Sequence, residues 1–284
     1  MDFLRSEDLD QALNHLAEWG DSACVLAGGT DVMPQFLGGE LTPGAFVHIE
    51  GIEQLATFSC DERTKLGPLV THRTLGTDPF LQTALPALAG AARSVGGWQT
   101  QAAGTIGGNI CNASPAADAA PPLLVADAFV TLSSRRGKRR VAMVDFFLDR
   151  RKTALDPDEL LIEIDLEPLP SDAGEVYIKL GRRGAMEVAL VGIAVRLGFT
   201  SDGSVASARV ALSSVGPTPM RVPDAEAVLI GSRLDAAALD AAGEALRSAS
   251  SPIDDARASA SYRTRTLRGL LERAAVQCRQ AALL

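Results

Sequence analysis

The chain is poor in the residues that staple small folds or bind metals. Its four cysteines, Cys24, Cys60, Cys111 and Cys278, stand far apart with no C-x-x-C pair. Neither a disulfide framework nor a cysteine-only zinc or iron–sulfur site is therefore indicated. The three histidines, His15, His48 and His72, are equally scattered. Metal ligands cluster, so each histidine is read as a surface or packing residue. Aromatics are scarce, at nine Phe, two Trp and two Tyr, and acids outnumber Lys and Arg 35 to 27. A nucleic-acid groove needs clustered cations and stacking rings, and that class is set aside. No stretch approaches the ~20 apolar residues of a membrane span. Residues 1–10 carry acids without the apolar core of a signal peptide, which points to a cytoplasmic chain with reduced thiols. At 284 residues it is long enough for about two domains, each with a real core.

Several catalytic signatures are also missing. There is no G-x-S-x-G to support a Ser-His-Asp hydrolase, no G-x-x-x-x-G-K-[ST] and no G-x-G-x-x-G. The acids Asp156, Asp158 and Glu159 flank Pro157 and read as a turn entering a strand rather than as a glycosidase pair. The basic run 135–140 lies between two apolar runs and reads as a charged hairpin turn.

What is present is an ordered series of short elements. Leu9, Leu13 and Leu16 fall at helical spacing behind Ser6, a plausible N-cap. The apolar run 23–27 is too short for a helix and meets Gly28-Gly29-Thr30-Asp31, so strand then turn is expected. A further strand is expected over 46–49. Leu85, Leu88, Ala92 and Val95 suit a helix within 81–95, with Pro86 in its first turn. Segments 128–132 and 141–144 look like a hairpin, and 160–166 alternates apolar and acidic residues as a half-buried strand does. A cluster of breakers from Pro168 to Gly174 marks a domain boundary. Beyond it, 176–180, 188–199 and 206–213 read as three strands of an antiparallel meander. An Ala- and Leu-rich helical cluster runs from Asp224 to the end, interrupted near Ser251-Pro252. The domains are expected at 1–172, itself split at about 54/55, and 173–284.

Two glycine-rich loops carry the chemical signal: Ala27-Gly28-Gly29-Thr30-Asp31 and Gly104-Thr105-Ile106-Gly107-Gly108-Asn109. Glycine permits positive φ and removes the Cβ, so consecutive N–H groups can converge on an anion such as a phosphate. Hydroxyls at Thr30 and Thr105 can add donors. Either loop alone is explained as well by a tight turn. The second loop, however, runs on through Asn109-Ile110-Cys111-Asn112-Ala113-Ser114-Pro115-Ala116-Ala117-Asp118-Ala119-Ala120-Pro121-Pro122, a long series of small and hydrogen-bonding residues. Long structureless loops inside compact domains are uncommon unless functional.

With A-G-G-T-D at 27–31, T-I-G-G-N at 105–109 and N-A-S-P-A-A-D-A-A-P at 112–121, the sequence resembles the FAD-binding medium subunits of the molybdenum hydroxylases. That family includes xanthine dehydrogenase and carbon monoxide dehydrogenase. The order and spacing of the motifs and the overall length agree. The resemblance implies an α+β fold: a two-part FAD domain of the vanillyl-alcohol-oxidase type, followed by a three-stranded antiparallel sheet with a helical bundle. It implies FAD pyrophosphate contacts from Ala27, Gly28, Gly29, Thr30 and Asp31 and from Thr105, Gly107, Gly108 and Asn109. Ser114 and Asp118 fall where the family places polar contacts to the ribityl or phosphate part. Leu161 matches the position whose backbone meets the isoalloxazine ring, and Lys179 a lysine near its pyrimidine edge. Without the resemblance, Leu161 would be strand core and Lys179 a solvated strand lysine.

The resemblance further implies an oxidoreductase flavoprotein subunit with no catalytic acid or base and no metal of its own. A large molybdopterin-binding partner and a small partner with two [2Fe-2S] clusters would complete a heterotrimer, doubled to a heterohexamer. Two departures are visible. Val188 stands where many relatives carry an aromatic that covers the flavin, and the cysteine-bearing insertion for a [4Fe-4S] cluster found in some members is missing. Two other readings fit the glycine loops: a stand-alone flavin oxidase or dehydrogenase, and a non-redox nucleotide-binding scaffold. The substrate and the final electron acceptor are not encoded in these motifs.

Overall fold

The structure is a computed structural model that describes residues 1–283. The amino-terminal part is a small three-stranded parallel sheet in which Ala45–His48 lies between Asp2–Arg5 and Ala23–Leu26. Parallel neighbours need crossover connections, and the helix Leu9–Trp19 supplies one, burying Ala12, Leu13 and Leu16. Its N-cap is Asp8, whose carboxylate accepts from the Gln11 amide at 2.8 Å. The expected cap Ser6 is instead buried with an unpartnered hydroxyl, because Asp8 stands one position before the first helical residue.

A second, five-stranded antiparallel sheet follows, ordered Phe58–Cys60, Thr64–Leu66, Leu160–Leu166, Phe129–Ser134, Gly137–Ala142. The acids of the central strand are held by cations around it. Asp165 takes Arg63 at 2.6 Å and Arg140 at 2.5 Å, and Glu163 takes Lys65 at 3.4 Å. The basic run therefore does more than turn the chain. Only Arg135 and Arg136 form the turn, while Lys138, Arg139 and Arg140 belong to the return strand. That strand ends at Ala142, and Met143–Phe146 forms a short helix. The helix expected within 81–95 is two helices, Pro79–Ala84 and Pro86–Ser94. Pro86 cannot donate to the preceding turn, and it opens the second helix from its N1 position.

The antiparallel sheet expected near the carboxyl end is present as Ala173–Leu180, Val191–Phe199 and Val205–Ser213, joined at one edge by a two-residue strand, Met220–Arg221. Its middle strand begins at Val191 rather than at 188, because residues 181–188 form a loop tied by Glu187, whose carboxylate accepts from the Arg182 and Arg183 amides. The middle strand is buried on both faces. Ile193, Val195 and Leu197 pack against Leu239, Leu246, Leu267 and Leu271 of the helices Ala236–Ala249 and Ala260–Ala281. On the opposite face, Ala194 joins Tyr177 and Ala211 in the same core as Ile106, Ile110, Leu123 and Leu161.

The amino-terminal half and the carboxyl-terminal sheet thus share one interior, and polar contacts cross it. The Glu175 carboxylate accepts from Arg196 at 2.6 Å and from the Ala87 amide at 3.2 Å, all buried. Asp127 binds both Arg209 and Arg221 at 2.5 Å. Removing one member of a buried pair leaves its partner uncompensated, at a cost of about 3–5 kcal/mol. Glu175→Ala is expected to lower the unfolding free energy by about that amount in urea titration; a loss under ~1 kcal/mol, the range of an exposed pair, would contradict the burial of Arg196.

Candidate functional site

The first glycine loop leaves the carboxyl end of the Ala23–Leu26 strand and enters the short helix Val32–Leu37. Gly29 sits at φ +69°, a conformation that side-chain-bearing residues rarely adopt. Its carbonyl and that of Asp31 accept from Met33 and Gln35 at 3.0 and 3.2 Å. Among the described residues, no protein acceptor meets the amides of Gly28, Gly29, Thr30 or Asp31. Four consecutive N–H groups are therefore free to face an anion.

The second loop behaves differently. Ile106 donates to Val70 at 2.9 Å, Gly107 to Pro68 at 2.9 Å, Gly108 to the Thr105 hydroxyl at 3.1 Å and Asn109 to the Thr105 carbonyl at 3.0 Å. These amides are consumed in holding the loop. Thr105 caps the helix Ile106–Cys111, and its hydroxyl proton is still available for donation. Gly107 answers to packing, since a Cβ there would meet Pro68 Cβ at 2.5 Å. Gly108, by contrast, is exposed and open.

The two loops lie side by side. A Cβ on Gly28 would run into the Ala103 carbonyl, and one on Gly104 would meet His72 Cδ2 at 3.2 Å and the Thr30 hydroxyl at 3.3 Å. A side-chain bridge adds to this contact: Gln35 Nε2 donates to Asn112 Oδ1 at 3.2 Å, and the Arg151 guanidinium reaches the same oxygen. Asp31, near Arg151, has its carboxyl raised by burial, with the guanidinium pulling the other way.

The remaining expected positions fall into two groups. Asn109 Oδ1 accepts from the Ala119 amide at 3.4 Å and Ser114 Oγ from Ala116 at 3.2 Å, so both side chains shape the segment that follows the loop. Asp118 and Lys179 meet directly at 2.8 Å, and both side chains are buried. Tyr177 donates to the other Asp118 oxygen at 2.6 Å, and Lys179 also donates to the Ser94 carbonyl at 2.9 Å. Burial pushes the Asp118 carboxyl above its ordinary value while Lys179 opposes the shift; the same burial, with Asp118 beside it, holds the Tyr177 hydroxyl well above its own. Leu161 is 2% exposed, its side chain in the shared core. The strand's pairing with Phe129–Ser134 slips between Leu161 and Glu163, an irregularity that re-aims backbone groups.

Residues 1–169 match the family described as the FAD binding domain in molybdopterin dehydrogenase, and residues 176–278 match the CO dehydrogenase flavoprotein C-terminal domain. The chain belongs to this family of molybdopterin-dehydrogenase flavoproteins. It is 34% identical to the putative xanthine dehydrogenase FAD-binding subunit of Escherichia coli K12, over 91% of this chain and 89% of that one. With the 6-hydroxypseudooxynicotine dehydrogenase complex subunit alpha of Paenarthrobacter nicotinovorans it shares 30% identity, over 96% of this chain and 92% of that one. A chain of the reconstituted CO dehydrogenase from Oligotropha carboxidovorans superposes with a TM-score of 0.95 at 30% identity, covering 99% and 98% of the two chains.

Within this flavoprotein fold, Val188 lies 48% exposed on the 181–188 loop. The loop is laid against the FAD-side half through the Met186 amide, which donates to the Gly96 carbonyl at 3.1 Å. Sequence reasoning passed over Tyr177, Gln35 and Arg151, and it read His72 as a surface or packing residue. Tyr177 was within reach, since residues two apart on a strand share a face and Lys179 had been singled out. The others meet the loops only through tertiary contacts.

His72 is 2% exposed with Nδ1 unpartnered, and burial lowers its pKa to about 4. The folded ring is neutral while the unfolded one charges near 6.5, so its contribution to stability is present above pH 6.5 and lost as pH falls toward 4. In urea titrations of the chain without cofactor, His72→Leu is expected to reduce the stability lost between those pH values by roughly 2–3 kcal/mol; an unchanged slope would contradict the burial. Gly28→Ala must push the loops apart and should lower the thermal midpoint by several degrees. Gly108→Ala, meeting only the Thr105 hydroxyl at 3.0 Å, should leave it nearly unchanged; equal midpoints for the two variants would deny the loop contact.

Proposed function

We propose that this chain is the FAD-carrying electron-transfer subunit of a molybdenum-containing hydroxylase or dehydrogenase. The observation that carries the reading is the row of four unpaired amides at Gly28–Asp31, set against the second loop in a chain of this family. Bound FAD would supply the redox chemistry that collects single electrons from iron–sulfur clusters and passes them to an acceptor. The fit rests on donors. The Gly28, Gly29, Thr30 and Asp31 amides and the Thr30 and Thr105 hydroxyls present N–H and O–H groups to a diphosphate, and Ala27 fixes where the loop leaves its strand. Exposed Gly108 lets that group approach the second loop, while Gly107 and Asn109 hold the loop's shape. Ser114 and Asp118 border the ribityl side. The Leu161 backbone meets the ring, and Lys179, already anchored on Asp118, places positive charge toward its pyrimidine edge, which favours electron uptake.

The FAD domain spans 1–172, with parts at about 1–54 and 55–172, and the carboxyl-terminal domain spans 173–284. The division is supported by the separate sheets. A large partner with a molybdopterin cofactor would oxidise the substrate, and a small partner with two [2Fe-2S] clusters would pass electrons to this chain and on to an external acceptor. A heterotrimer doubled to a heterohexamer, in the cytoplasm, is the assembly this implies. The multi-subunit part of this reading is supported by two relatives that are themselves subunits, one of a 6-hydroxypseudooxynicotine dehydrogenase complex and one of a putative xanthine dehydrogenase.

The test is expression of the chain alone and with its partner chains. The chain alone should carry about one FAD, visible as flavin absorbance, and should not reduce a dye with candidate substrates; dye reduction should appear only in the reconstituted complex. A colourless chain that takes up no FAD would favour the scaffold reading. Substrate-dependent dye reduction by the chain alone would favour the stand-alone oxidase or dehydrogenase.

A further inference from the structure

The histidine between the two loops is the one buried side chain there whose chemistry nothing in the fold uses. His72 lies in the first turn of the helix His72–Thr77, behind the Thr71 cap. Its own amide donates to the Gly104 carbonyl at 3.0 Å, and Thr71 bridges to Thr105, so its backbone is pinned to the entrance of the second loop. The ring is 2% exposed. Nδ1 is shut off without a partner, and no hydrogen bond to Nε2 is formed among the described residues.

His48 shares the unpartnered Nδ1 but has its other nitrogen served: its Nε2 lies 3.3 Å from Glu50. A leucine at 72 would fill the same space without an orphaned polar atom, and buried polar atoms without partners mark strain, a site for an ordered water, or a group held for a ligand. The surroundings of the ring favour the last. Its Cδ2, bonded to Nε2, lies 3.2 Å from the point where a Gly104 side chain would begin, and that point is also 3.3 Å from the Thr30 hydroxyl and 2.8 Å from the Thr100 carbonyl. A proton on Nδ1 would be a buried N–H with no acceptor, so the neutral ring carries its proton on Nε2. That donor is one bond from the Cδ2 that neighbours Gly104, at the place where the Thr30 hydroxyl also comes near.

We infer that His72 is a direct binding residue of the dinucleotide site, its Nε2–H donating a hydrogen bond to a diphosphate oxygen beside the Thr30 hydroxyl. The inference rests on the FAD reading above and deepens it. It also accounts for the division of labour between the loops. The second loop has spent its own amides on Val70, Pro68 and Thr105, and the side chain of His72 presents a donor on that side instead.

The test uses the full chain stripped of flavin, with FAD binding followed by fluorescence quenching and ADP as a competitor that has the diphosphate and lacks the ring. His72→Leu removes the donor, His72→Gln returns one at the Nε2 position, and His72→Asn places one too short to reach. A hydrogen bond to a charged group is worth about tenfold or more in affinity. The Leu and Asn variants are therefore expected to weaken FAD and ADP by similar factors of about that size, with Gln close to the wild type. The thermal midpoint of the flavin-free Leu variant should be equal to or above the wild type, which a packing role for His72 would not give. Unchanged affinity in the Leu and Asn variants, Gln as weak as Asn, or weakened FAD with unaltered ADP would each overturn the assignment while leaving the FAD reading in place. A wild-type chain that binds neither FAD nor ADP would remove both.

Discussion

The approach of Gly28 to the Ala103 carbonyl is the contact on which the remaining geometry depends. The two segments are separated by most of the amino-terminal half, and they meet where one residue has no side chain and the other offers only its backbone. Because the approach is backbone to backbone, it is stiff. No rotamer can yield, and the positions of the free amides at 28–31 and of the capped second loop are set relative to each other before any ligand arrives. Preorganisation of this kind lowers the entropic cost of binding a flexible dinucleotide. The Asn112 oxygen, shared by Gln35 and Arg151, reinforces the same registration from the solvent side.

The join between the FAD-side half and the last sheet follows a different logic. Asp118 with Lys179, Glu175 with Arg196, and Asp127 with Arg209 and Arg221 replace part of what could have been an apolar seam. The first two pairs are buried, and such pairs contribute little net stability over well-packed hydrocarbon; Asp127 is partly exposed. What they add is directional: each carboxylate has its donors at fixed points, so a slipped register of Ala173–Leu180 against Pro86–Ser94 would strand a charge. Lys179 gains most from this. Its ammonium is held by Asp118 and the Ser94 carbonyl, and a cation so anchored keeps its place whatever the charge on a neighbouring ring.

Much of the fold was legible because it is written in local pattern. The strands at 23–26 and 160–166 and the carboxyl-terminal helices each follow from nearest-neighbour chemistry. Where two local signals competed, the stronger won. Asp8 capped the first helix instead of Ser6, and Pro86, expected in a first turn, opened the second of two helices. The glycine loops were legible as motifs, but their different economies were not: nothing in T-I-G-G-N reveals that its amides bind Val70 and Pro68. Equally, the burial of His72 is decided by Gly104 and Thr30, residues more than thirty positions away on either side.

The strand Val191–Phe199 alternates branched residues on the helical side with small ones, Gly192, Ala194 and Gly198, on the other, interrupted by Arg196, and Tyr177 and Ser213 occupy the space left open beside Gly192. That arrangement binds the two halves of the polypeptide into a single inheritable piece. A recombinant that joined the amino-terminal portion of one relative to the carboxyl-terminal portion of another would have to bring matching steric relief on both sides of the seam. Lineages in this fold should therefore diversify through their outward loops, with the junction itself passed on intact.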